Sequence, residues 1–142
     1  MKIRKAALPL ILTGLSSIHS AAYASLEIHC SDPELTVRTI TNNDSSTNIK
    51  LTYRTTQESE VYLYPPKTQN SFFALDAETG TEYELIGFSG IEAAPSSRIY
   101  PAHQMIYIEL NFERIHAKKF HLIEGKQSSR EDFWTCMNIR NQ

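Results

Sequence analysis

Long apolar runs, basic residues and cysteines are all scarce in this chain, and so are the residue spacings that mark chemistry. One hydrophobic run stands out, from Ala6 to Leu15, and it is interrupted by Pro9, Thr13 and Gly14. It is too short to span a bilayer, and no later run approaches spanning length, which excludes a helical membrane span. There is no Gly-x-Ser-x-Gly, so a nucleophile elbow is not expected. Of the five histidines, His29, His103, His116 and His121 lie outside the first two dozen residues, and no pair among them has the spacing of a metal site. No metal ion or other cofactor is expected. No internal repeat, linker or low-complexity tail divides the chain.

What is present begins with an address. Lys2, Arg4 and Lys5 precede the apolar run, and Ala22-Tyr23-Ala24 offers a small-x-small cleavage site ahead of Ser25. This is the layout of a secretory signal peptide over residues 1–24, with a single domain over 25–142. The whole chain holds 14 basic and 16 acidic residues, and the leader accounts for three of the basic and none of the acidic. The remainder therefore carries 11 against 16, a formal net charge of −5. Nucleic acid and anionic membrane surfaces both need a basic footprint, so neither is expected as a partner. The expected location is periplasmic or secreted.

The only cysteines, Cys30 and Cys136, sit near opposite ends of the exported part. In an oxidising compartment a lone pair so placed is expected to form a disulfide that ties the first strand to the last. The alternatives are a reactive thiol or a metal ligand. For the thiol, no basic cluster stands beside Cys136 in sequence to lower its pKa.

Between the cysteines the sequence reads as short strands separated by turn chemistry. Ile49, Leu51 and Tyr53 share one face, opposed by Lys50, Thr52 and Arg54. Ile106, Ile108, Leu110 and Phe112 repeat the pattern, with Tyr107 on the opposite side. A period of two marks a half-buried strand. Leu35, Val37 and Thr39 are expected to alternate with Thr36 and Arg38. Val61 to Tyr64 is another strand, stopped by Pro65-Pro66. Ser71–Leu75 and Glu82–Phe88 flank Asp76-Ala77-Glu78-Thr79-Gly80 as a hairpin. Two further strands are read at Phe120–Ile123 and Phe133–Ile139. About seven to nine strands and no amphipathic helix predict an all-β protein, an immunoglobulin-like antiparallel β-sandwich. The immunoglobulin Cys–Trp–Cys order is absent, because Trp134 lies just before the second cysteine.

The second half carries Phe72-Phe73-Ala74-Leu75-Asp76, Gly80, Tyr83-Glu84-Leu85 and Gly90-Ile91. These are followed by Phe112-Glu113-Arg114-Ile115, Phe120-His121-Leu122-Ile123-Glu124-Gly125, Trp134 and Ile139. In these segments the chain resembles a β-sandwich domain of bacterial envelope proteins, notably of the Bacteroidetes. His121 stands where that family usually has an acidic residue. The resemblance implies a sandwich fold and an envelope location, and it implies no biochemical activity.

With no catalytic grouping, the sequence predicts a non-enzymatic module that binds another envelope or secreted protein, as an accessory subunit, inhibitor or immunity factor. Tyr62, Tyr64 and Tyr107 are the candidate contact residues, since aromatics on an outer sheet face suit a protein edge or a sugar. A carbohydrate- or small-ligand-binding module using the same aromatics is the alternative. A hydrolase built on Glu113, His121 and Glu124 is a third reading, set against a structural role for Glu124 in the turn before Gly125.

Overall fold

The computed structural model describes residues 28–126 and 133–141. The leader expected over residues 1–24 lies outside them. Ten strands form in chain order: β1 (His29–Cys30), β2 (Leu35–Asn42), β3 (Ser46–Arg54), β4 (Ser59–Val61) and β5 (Phe72–Asp76), then β6 (Glu82–Ser89), β7 (Arg98–Tyr100), β8 (Met105–Glu113), β9 (Lys119–Glu124) and β10 (Thr135–Arg140). Eight join one antiparallel sheet in the order β1-β10-β9-β5-β6-β8-β3-β2, and β4 pairs with β7. The protein is all-β and antiparallel, as the alternation predicts. The count exceeds the expected seven to nine because β1, β4 and β7 span only two or three residues, too short to leave a periodic signal.

The large sheet becomes a sandwich because one strand serves both layers. Residues 82–84 of β6 pair with β5, whereas residues 85–89 pair with β8, with a register shift between Leu85 and Gly87. A bulge bends and twists the strand that carries it. The two halves of the sheet thereby face each other and share a core. From one half come Ile49, Leu51 and Tyr53 of β3 and Ile106, Ile108, Leu110 and Phe112 of β8. From the other come Phe72, Ala74, Phe120, Leu122 and Ile139. Tyr53 meets Trp134 across the layers with ring centroids 4.8 Å apart. Each fully buried side chain of this size contributes about 1.5–3 kcal/mol.

Two closures hold the open side. Cys30 and Cys136 are directly opposed on β1 and β10 and form the expected disulfide. At the far end, buried Thr47 donates its hydroxyl to Asn42 (2.7 Å) and accepts the Ile115 amide (2.9 Å). Asn141 accepts from the Asn42 carboxamide and donates to the Ile115 carbonyl, both at 2.7 Å.

Two sequence expectations need correction. The Val61–Tyr64 strand stops at Val61, and Leu63 instead makes an isolated parallel bridge to Ala93. In β2, Thr39 does not follow Leu35 and Val37 inward. A register shift between Val37 and Thr39 brings Ile40 opposite Ile49 and leaves Thr39 exposed. The apolar parity switches from odd positions (35, 37) to even (40), which is the sequence trace of a bulge.

Candidate functional site

The outer face of the half-sheet β6-β8-β3-β2 is built by the side chains that the core rejects. Cross-strand pairs on it run Asn48–Asn111, Lys50–Glu109 and Thr52–Tyr107. Directly opposed residues on antiparallel strands project to the same side and interact. Asn48 donates to Asn111 at 2.7 Å, and Lys50 lies 3.6 Å from Glu109. Tyr107, opposite Thr52, is 71 % exposed. An aromatic side chain held on a regular strand, yet left in water, is the conspicuous feature of this face.

Tyr107 lines a shallow concavity of about 620 Å³ together with Arg38, Lys50, Thr52, Ser89, Gly90, Met105 and Glu109. Gly90 is required there. Its φ of +86° suits glycine, and an added Cβ would lie 2.0 Å from the Tyr107 carbonyl oxygen. Arg38, at the bulge of β2, lies on the same face, where its Nε donates to Thr52 Oγ1 at 2.9 Å. Thr52 is itself buried and is the cross-strand neighbour of Tyr107, so the guanidinium is anchored at one nitrogen beside the ring. Sequence reasoning passed over Arg38, because it read the residue as one outward step of a regular alternation.

Tyr62 and Tyr64 occupy a different place. They are half-buried, pack edge to face with centroids 5.5 Å apart, and Tyr64 contacts the Phe133 ring at 6.0 Å. Val61 and Leu63 point into the core between them, as the alternation predicts. The two tyrosines line an open groove of about 540 Å³ with Glu60, Pro65, Thr68, Ala94, Pro95 and Ser97. The lining residues of this groove and of the Tyr107 concavity do not overlap, so the three candidate tyrosines divide between two surfaces.

The residues of the hydrolase reading are dispersed. His121 and Glu124 lie on opposite faces of β9: Glu124 is fully buried with Phe120 and Leu122, whereas His121 is half-buried on the other side. His121 Nδ1 accepts the Asn138 amide at 3.1 Å. Glu113 is on β8 and accepts the Glu84 amide at 3.0 Å. Among the described residues no three His, Cys, Asp or Glu side chains converge as a metal site. Both cysteines are in the disulfide, which removes the thiol alternative.

One perturbed titratable group lies inside the core. Burial pushes the Tyr53 phenol above its ordinary range, and the charge of the Asp32 carboxylate, hydrogen bonding to it, and then Glu34 add to the shift. The tyrosine is inaccessible to solvent, so this pair braces the β1–β2 connection instead of serving a cleft.

We find no protein-family model, no curated protein and no solved structure that matches this chain. Among the described residues no helix is long and apolar enough to cross a membrane.

Proposed function

We propose that the protein is an exported, non-enzymatic β-sandwich that binds another protein of the bacterial envelope, as an accessory subunit, inhibitor or immunity factor. The observation that carries this reading is Tyr107, exposed on an ordered sheet face beside an anchored arginine. Tyrosine and arginine are the side chains most often found at the energetic centre of protein interfaces. The export address and envelope location rest on the leader-like start, on the resemblance of the second half, and on a disulfide that persists in oxidising compartments. Tyr62 and Tyr64 form a second, flatter aromatic patch.

The test is capture from an envelope extract by the oxidised protein, followed by mass spectrometry. One dominant protein, retained by wild type and lost with Tyr107→Ala, is the expected result. Equal retention by Tyr107→Ala and by the double variant Tyr62→Ala/Tyr64→Ala removes both faces from consideration. Recovery of glycan without protein favours the second reading, a carbohydrate-binding module. That reading draws on Ser89, Thr52 and Glu109, which line the concavity with Tyr107.

A further inference from the structure

β2 is the terminal strand of the eight-stranded sheet. It is hydrogen-bonded to β3 along one side and, among the described residues, to no strand along the other. Edge strands expose rows of N–H and C=O groups that pair readily with another extended chain, and proteins usually blunt them with lysine, proline, a β-bulge or very short length. β2 is eight residues long, Leu-Thr-Val-Arg-Thr-Ile-Thr-Asn, with five β-branched residues and neither lysine nor proline; a bulge between Val37 and Thr39 leaves Thr39–Asn42 as its regular edge. Its one charge is Arg38.

The charges on the adjoining sheet face are distributed unevenly. Of its carboxylates, Glu109 is matched by Lys50 and Glu113 is engaged by the Glu84 amide. Arg38 and Arg54 are exposed, and neither has a carboxylate partner among the described residues. The Nε of Arg38 is committed to Thr52, which leaves the two terminal nitrogens of the guanidinium as a fork. A fork held at one end is suited to bidentate capture of a carboxylate. This excess of cation stands on a chain of formal net charge −2.

We propose that β2 receives an extended acidic segment of a partner protein as an added strand, with one of its carboxylates held by Arg38. Backbone pairing to the β2 edge supplies affinity that does not depend on sequence, and Arg38 supplies the selectivity. The inference rests on the protein-binding reading and specifies the chemistry of the partner.

A displayed library of short random peptides, selected on the purified oxidised protein, tests it directly. Selected peptides should be rich in Asp and Glu, alternate with β-branched or aromatic residues, and lack proline. A selected peptide should slow amide exchange along Leu35–Asn42, and its binding should weaken with added salt. Arg38→Gln, whose carboxamide can still donate to Thr52, should change the melting temperature little and weaken that peptide by about tenfold, the loss of one charge-assisted contact. The proposal fails if the selection yields no binder, or binders that are basic or proline-rich. Protection mapping away from β2, or affinity indifferent to Arg38→Gln, also overturns it. So does concentration-dependent protection of β2 without peptide, which would assign the edge to a second copy of the chain. If the captured envelope protein is retained equally by wild type and Arg38→Gln, the broader binding function stands and this mode of recognition does not.

Discussion

Two aromatic residues with the same hydroxyl have opposite fates in this sandwich, and sheet parity separates them. Tyr53 is inward on β3 and fully buried; Tyr107 is outward on β8, opposite Thr52. Because burial and Asp32 raise the Tyr53 phenol above its ordinary pKa of 10.0, the folded state holds that proton more tightly than the unfolded chain. The contribution is complete below the unfolded value and is lost as pH rises through it toward the folded one. Stability measured by urea titration should therefore fall as pH increases above about 10. Tyr53→Phe should flatten that part of the profile. Tyr107→Ala, by contrast, should change stability by no more than about 0.5 kcal/mol, as exposed substitutions usually do, while removing partner capture. A large loss of stability in that variant would show that the ring serves the fold.

At the scale of the element, the informative positions are those where a regular strand gives way. The bulge in β6 lets one strand pair with β5 and then β8, and the bulge in β2 turns Thr39 outward and Ile40 inward beside Arg38. Gly90 follows β6 with a positive φ and its Cα against the Tyr107 carbonyl. Gly90→Ala should destabilise by about 2 kcal/mol or more, since strained backbone and a backbone clash act together. Chemical denaturation measures the loss, and near-ultraviolet circular dichroism should report the displaced Tyr107. Thr47 joins β2, the β8–β9 connection and, through Asn42, the residue after β10. Thr47→Val keeps the shape but strands the buried Ile115 amide and removes a donor to half-buried Asn42, so a loss of about 2 kcal/mol is expected in the same measurement. The hairpin turn is held mostly by its own residues, with one backbone bond from Ala77 to Lys119. Asp76 accepts the amides of Glu78 and Thr79 at 2.8 and 3.1 Å, which lowers its carboxyl pKa, and Gly80 takes the positive φ. Asp76→Ala should therefore reduce stability at neutral pH, and its difference from wild type should shrink as acid protonates the carboxylate.

The molecule as a whole is a single sheet folded on itself and fastened where its ends approach. The disulfide encloses a sequence separation of 106 residues. Chain-entropy arguments put the stabilisation from closing such a loop at about 4–5 kcal/mol. The double variant Cys30→Ser/Cys136→Ser should lose about that much in equilibrium unfolding, and reduction of the wild type should approach the same value. A loss below about 1 kcal/mol would mean that the reduced unfolded chain retains structure that already restrains it.

How far these features can be read without coordinates depends on how locally each is encoded. Alternation in Ile49-Leu51-Tyr53 and Ile106-Ile108-Leu110-Phe112 was enough to place both central strands and to set Tyr107 outward. The turn at Asp76–Gly80 and the pairing of the two cysteines were equally legible, because side-chain chemistry and cysteine number each left few options. The sequence by itself thus determined strand character, inside and outside, the hairpin and the covalent link. Only the tertiary structure decided that β6 belongs to both layers, that Thr47 and Asn141 close one end, and that Arg38 stands beside Tyr107. Those outcomes depend on register and on partners many residues distant, and a period of two is blind to both.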